Sequence, residues 1–86
     1  MGSYSVLVGR RAERDLRRLP TDIARRALTA IRSLEADPIS RQSEKLAGSS
    51  TEYRLRVGSY RVLYEVDHQA RTVHVHRVRH RREAYR

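Results

Sequence analysis

Residues 53–67 read YRLRVGSYRVLYEVD, and this stretch decides the fold. Tyr53, Leu55 and Val57 alternate with Arg54 and Arg56; beyond Gly58-Ser59, Tyr60, Val62, Tyr64 and Val66 alternate with Arg61, Leu63, Glu65 and Asp67. A period of two marks strands with one buried face. Glycine at the first central position of a two-residue loop suits a type II′ turn, whose twist matches that of the strands it joins. The stretch is therefore an antiparallel hairpin that sends Tyr53, Tyr60 and Tyr64 inward with the valines and sends Arg54, Arg56 and Arg61 outward.

Toward the C-terminus, His68 to Arg71 makes a connection and Thr72 to Val78 a last strand. The tail from His80 to Arg86 is too short for an independent helix and is expected to add one docked turn. Upstream of the hairpin, residues 37–52 are polar and carry Gly48, Ser49, Ser50 and Thr51; they predict a surface loop anchored by Ile39 and Leu46. Before this loop the period is helical. Ala12, Leu16 and Leu19 form one apolar stripe, ended by Pro20, and Ile23, Ala24, Ala27, Leu28, Ile31 and Leu34 form a wider one that stops before Asp37-Pro38. Thr21 is placed to cap the second helix, with Asp22 in its first turn where the helix dipole favours an anion. The short connection makes the two helices an antiparallel hairpin. At the N-terminus Tyr4, Val6 and Val8 mark a short strand, and the intervening Leu7 implies burial on both faces.

The expected architecture is α+β, one domain over residues 1–86. A small twisted sheet, mostly antiparallel and in the order β-α-α-β-β-β along the chain, carries the helical hairpin on one face. Leu16, Leu19, Ile23, Ala27, Ile31 and Leu34 should meet Tyr53, Leu55, Val62 and Tyr64, because neither layer can bury its apolar face alone. An 86-residue chain with 38% hydrophobic residues sustains one small core and excludes a two-domain enzyme. It contains no cysteine, which excludes a disulfide scaffold and a cysteine-based zinc site. With no apolar run of membrane length, the expectation is a cytoplasmic protein without a membrane partner.

The net charge is +9, and of the 19 lysines and arginines all but Lys45 are arginine. Residues 53–86 hold nine arginines against Glu65, Asp67 and Glu83, a net of +6. Here the cations share a strand face, and the run Arg77-Val78-Arg79-His80-Arg81-Arg82 follows. Such a surface binds a phosphate backbone, and the preference for arginine over lysine suits bidentate phosphate recognition. On the helices, Arg11 with Asp15, Glu13 with Arg17 and Asp22 with Arg26 read as i,i+4 surface pairs, so Arg11 and Arg25 are expected to lie outside the site.

His74 and His76 are two apart on one strand, but neither cysteine nor a convergent carboxylate completes a metal set, so they read as surface histidines and no metal or cofactor is expected. His80 lies inside the arginine cluster, where an imidazole could stack on a base or carry a proton. Tyr85 has no apolar stripe to explain it; it is either a base-stacking platform or a pin for the tail.

Five segments taken together, AERDLRRLP (Ala12 to Pro20), Lys45-Leu46 with Gly48, YRLRV (Tyr53 to Val57), GSYRVLYE (Gly58 to Glu65) and VRHRREAY (Val78 to Tyr85), resemble the RelE-type toxins of the RelE/ParE superfamily, from bacterial and archaeal toxin–antitoxin pairs. The resemblance implies a curved sheet with the helical hairpin on one side and an active cleft on the other, inhibited by an acidic antitoxin that wraps it. It implies metal-independent, ribosome-dependent cleavage of mRNA through attack of a 2′-OH on the scissile phosphate. Other members act on DNA gyrase and cut nothing, and a plain nucleic-acid-binding role is a further alternative. By the same resemblance the catalytic residues are Arg61, Arg81 and Tyr85, with His80 as a candidate proton carrier. Arg54, Arg56, Arg77, Arg79 and Arg82 would contact mRNA or the ribosome. Arg54 and Arg56 stand where the best-studied pattern has lysines, and Arg79 stands where a glycine is usual.

That substitution bears on the chemistry. Cleavage needs a proton acceptor for the 2′-OH, stabilisation of the crowded phosphorane and a donor for the leaving 5′ oxygen. Arg61 and Arg81 suit the second task, but arginine, with a pKa above about 12, is no ordinary base. His80, Glu65 or positioning by the ribosome itself is left to supply the remainder.

Overall fold

The computed structural model describes residues 3–83. Along them run β1 (Ser5–Val8), α1 (Arg10–Arg18), α2 (Thr21–Ser33), β2 (Ser43–Lys45), β3 (Glu52–Val57), β4 (Tyr60–Asp67) and β5 (Thr72–His80). One five-stranded sheet has the order β1-β5-β4-β3-β2, antiparallel throughout except that β1 lies parallel to β5. α1 lies over β5 and α2 over β3. The α+β architecture with a helical hairpin on one face is as the sequence predicts.

The central hairpin follows from its alternation. Val57 pairs with Tyr60, and Gly58 between them adopts φ 59°, a left-handed conformation that suits glycine. Tyr53, Leu55, Val57, Val62, Tyr64 and Val66 are buried against Ala12, Ala27, Ile31 and Leu34. β5 adds Val73, Val75 and Val78, which cannot all face inward in a regular strand because Val75 and Val78 are three apart. The register shift opposite Leu63 and Tyr64 resolves this: Arg77 pairs with Leu63 and Val75 with Tyr64, so His76 is the extra residue of a β-bulge.

Several expectations are corrected. The loop of residues 37–52 contains β2, whose Ser43, Glu44 and Lys45 pair with Leu55, Arg54 and Tyr53. Ile39 does not anchor the loop, being 43% exposed. The buried Tyr64 does so instead: its hydroxyl donates to Pro38 O at 2.7 Å and accepts from Ser43 Oγ at 2.6 Å. Burial pushes the Tyr64 phenol above its ordinary pKa, against the opposing effect of the Ser43 hydrogen bond. Leu7 is exposed because no second layer covers the outer face of the sheet, and Leu28 is exposed on the solvent side of α2. α2 begins at Thr21 with Pro20 in the cap position and no side-chain cap, and it ends at Ser33. Tyr60 is only half-buried.

β1 ends at Val8, opposite Val75, leaving the rest of β5 without a neighbouring strand on the side away from β4. α1 takes over that edge. Gly9 N–H donates to Val75 O at 2.9 Å, and the Asp15 carboxylate accepts the Val78 N–H at 2.9 Å. Asp15 thereby satisfies a main-chain donor that would otherwise lack a partner.

Candidate functional site

The register places side chains in rows across the outer face. Nearest the Gly58-Ser59 turn lies Arg56–Arg61–Arg79, followed by Glu44–Arg54–Leu63–Arg77 and then Glu52–Glu65–His74. The face is cationic at the turn end and carries its carboxylates toward the other.

The ion pairs divide the arginines further. Arg54 is bonded to Glu44 at 3.1 Å, Arg77 to Asp15 at 2.9 Å and Arg79 to Glu83 at 3.5 Å. Arg25, Arg26, Arg56, Arg61 and Arg81 have no carboxylate partner among the described residues, and all five line one cleft of about 980 Å³ between α2 and the β3–β4 hairpin. Asp22 is the single acid in its walls among the described residues. Arg61 Nη1 donates to Tyr60 O at 2.9 Å and Gly58 O at 3.2 Å, which fixes the guanidinium at the turn with Nε and Nη2 still available as donors. Arg81 arrives by a backbone tie, its N–H donating to Ser59 O at 2.8 Å. Arg26 reaches the same turn from α2; a Cβ placed on Gly58 would stand 3.3 Å from its Nη2. Three guanidinium-bearing chains thus converge on one tight turn. A second cleft, of about 460 Å³, shares Arg56, Arg61 and Gln42 with the first and adds Arg41, Ser43, Glu44 and Arg54.

The other predicted residues lie elsewhere. Arg77, Arg79 and His80 line a third cleft, with Asp15, Tyr60 and Glu83. The His80 ring meets Tyr60 edge-on at 5.3 Å, and its Nδ1 accepts the Arg82 N–H at 3.3 Å. Arg82 itself is exposed, in the turn that closes with Glu83 N–H donating to His80 O. Glu65 is removed from the arginine cleft: it accepts from Thr51 Oγ1 at 3.2 Å and stands 3.3 Å from His76 Nε2. His74 and His76 do lie together, with ring centroids 4.4 Å apart, and no group of three metal-ligating side chains forms among the described residues. Tyr85 falls outside the described residues.

Asp15, expected to pair with Arg11, turns to β5. Burial alone would raise its pKa, but hydrogen bonds from Arg77 and the Val78 N–H, with the charges of Arg77 and Arg79, hold it below the ordinary carboxylate value. The same contact raises Arg77 above its ordinary pKa.

Arg25 and Arg26 are the residues that reading the sequence missed. The helical layer is not separate from the cleft, as the expectation for Arg25 had it, and the cleft is not confined to the face opposite the helices. Asp22, Arg25, Arg26, Thr29 and Ser33 recur at helical spacing along one flank of the apolar stripe of α2, and all line the cleft.

The comparisons with known proteins agree on a family. Residues 6–85 match the family described as ParE toxin of type II toxin-antitoxin system, parDE. The chain is similar to the RelBE2 toxin-antitoxin complex of Mycobacterium tuberculosis, at 31% identity over 91% of this chain and 98% of that one, with a TM-score of 0.80. It is similar to the archaeal RelE-RelB complex of Pyrococcus horikoshii, at 30% identity over 95% and 99%, TM-score 0.83. The RelB-RelE antitoxin-toxin complex of Methanococcus jannaschii matches at 28% identity over 92% and 94%, TM-score 0.75.

Proposed function

The chain belongs to the RelE/ParE superfamily of toxins from type II toxin–antitoxin systems, and from this premise we propose that it is a ribosome-dependent, metal-independent endoribonuclease that cuts mRNA. The observation that carries the reading is the convergence of Arg56, Arg61 and Arg81, none with a carboxylate partner among the described residues, on one cleft. Such a cluster attracts an external anion, and a phosphodiester offers the paired oxygens that a guanidinium fork binds.

In this mechanism the 2′ oxygen of the nucleotide bonds to its own 3′ phosphorus as the bond from that phosphorus to the next nucleotide's 5′ oxygen breaks, leaving a 2′,3′-cyclic phosphate and a 5′-OH; water takes the 2′-OH proton and supplies one to the leaving oxygen. Arg61 and Arg81 hold the non-bridging oxygens as charge accumulates on them, a stabilisation that is strongest where the donors are already fixed in place. Arg61 is so fixed by its bonds to the turn carbonyls. Tyr85 would serve as a stacking platform for a base. His80 and Glu65 lie outside the cleft, so the ribosome's positioning of the strand for in-line attack supplies much of the rate. An antitoxin with an acidic segment would cover the same cleft, and the RelE relatives above were solved with RelB antitoxins.

One observation favours a second reading. Every basic side chain lining the cleft among the described residues is an arginine, which holds a phosphate but does not take the proton of the attacking 2′-OH. A toxin of this fold that binds its target, such as DNA gyrase, without cutting would need no more. Induced expression in growing bacteria separates the two. Early arrest of protein synthesis with new mRNA 5′ ends inside translated regions is expected; arrest of DNA synthesis with intact mRNA would replace the first reading by the second.

A further inference from the structure

The α2 wall of the cleft holds more cation than one scissile phosphate requires. Arg61 and Arg81 sit at the β3–β4 turn, and Arg26 approaches that turn from the opposite wall with Arg25 beside it. Both α2 arginines are exposed, and neither is in an ion pair among the described residues. Thr29, Ser33 and Gln42 continue the lining with neutral hydrogen-bonding groups. A cleft of about 980 Å³ is also too large for a single phosphate, and its two cationic walls face each other across it.

We infer that Arg25 and Arg26 form a second phosphate subsite, which takes a backbone phosphate of the same single RNA strand next to the one held by Arg61 and Arg81. The strand then passes between α2 and the hairpin, not along the open outer face of the sheet. Asp22, the only acid in the walls among the described residues, repels phosphate at the end of α2 where it stands and so limits the path to the Arg25–Arg26 side. Guanidinium contacts to phosphate carry no base identity, so this subsite contributes affinity and direction, and leaves sequence preference unchanged. The proposal deepens the nuclease reading and rests on it for the identity of the strand, though binding can be measured without cleavage.

The test uses the full chain and a short, fully 2′-O-methylated single-stranded oligoribonucleotide, which binds but lacks the nucleophile. For single strands the slope of log affinity against log salt is about −0.7 per phosphate neutralised. The double variant Arg25→Gln/Arg26→Gln should lose about 0.7 from the magnitude of that slope. The control Arg14→Gln/Arg17→Gln removes the same charge from exposed positions of α1 outside the cleft and should keep the wild-type slope. In single-turnover cleavage the α2 variant should need more toxin than wild type to reach half-saturation, and the α1 control should not. An unchanged slope in the α2 variant, or an equal loss in the control, would overturn the subsite. So would weakened binding of a poly-glutamate peptide with RNA binding intact, which would give this wall to an acidic protein. If wild-type toxin cuts nothing while the slopes still differ as stated, the subsite stands and the nuclease reading falls.

Discussion

Arg61 and Arg77 stand in adjacent rows on the same outer face, and they do opposite things. Arg77 is bound in place by Asp15, with Nε and Nη2 both engaged at 2.9 and 3.3 Å, and the same carboxylate takes the Val78 N–H. Among the described residues, Arg61 is oriented by main-chain oxygens alone and faces a cleft in which no carboxylate pairs with it. One end of the sheet uses arginine to close an exposed strand edge. The other uses arginine to hold charge open for a ligand. Residue type, sheet face and exposure do not separate the two; the presence of an internal anion does.

The largest expected effect tests the open end. Arg61→Lys and Arg81→Lys keep the charge but lose the planar fork, and removing one transition-state donor costs about 2.7 to 4 kcal/mol, roughly 10²- to 10³-fold in rate. Single-turnover cleavage on programmed ribosomes should fall by that factor in each variant while ribosome binding and thermal stability stay near wild type. Shallow, equal losses in Arg54→Lys, Arg56→Lys, Arg61→Lys and Arg81→Lys would reduce the cleft to an electrostatic face.

The closed end should answer in stability instead. Asp15→Ala leaves the Val78 N–H and Arg77 without their acceptor in a part-buried place, and such a loss costs about 1 to 3 kcal/mol. Urea unfolding measures it. Normal stability in Asp15→Ala would mean that the β5 edge does not need this tie, and the contrast between the two ends would fail.

Why one end was legible and the other only partly so has a physical cause. The β3–β4 hairpin announces itself because one residue in two is apolar and Gly58 sits where the turn demands positive φ. That placed Arg61 and Arg56 correctly on the outer face. β2 carries no apolar alternation: Ser43, Glu44 and Lys45 form a strand because β3 offers a ladder and Tyr64 holds Ser43. The α2 flank of the cleft carries no signal of its own in the sequence, because a polar helix face looks the same whether it meets water or a groove. Asp15 was assigned to Arg11 by i,i+4 spacing, whereas its actual partners are 62 and 63 residues away. Local periodicity sees elements and faces; it does not see which faces are brought together.

A smaller effect sharpens the open end. Arg56→Lys keeps the count of phosphate contacts and restores an amine that burial or a neighbouring cation can tune toward a base. Cleavage should stay within about tenfold of wild type, about 1.4 kcal/mol, and any change should be upward and greater at higher pH, where more of the amine is neutral. A drop as deep as that of Arg61→Lys would instead place Arg56 on the scissile phosphate.

The smallest effect concerns how charge and hydrogen bonding share the closed end. Asp15→Asn can keep an oxygen for the Val78 N–H but loses the charge facing Arg77. An ion pair this close to the surface contributes about 1 kcal/mol or less, so at neutral pH the asparagine variant should be only slightly less stable than wild type. The folded-state pKa of Asp15 lies below its unfolded value of about 3.9, so the carboxylate's extra stability is complete above that value and is lost as pH falls through the depressed folded pKa. Asparagine does not titrate. The stability gap between wild type and Asp15→Asn should therefore hold from neutral pH down to about 5 and close as pH falls through the region below about 4. Urea midpoints across that range measure the gap. If it stays constant into acid, the Asp15 charge contributes nothing and the clamp on β5 is a hydrogen bond alone.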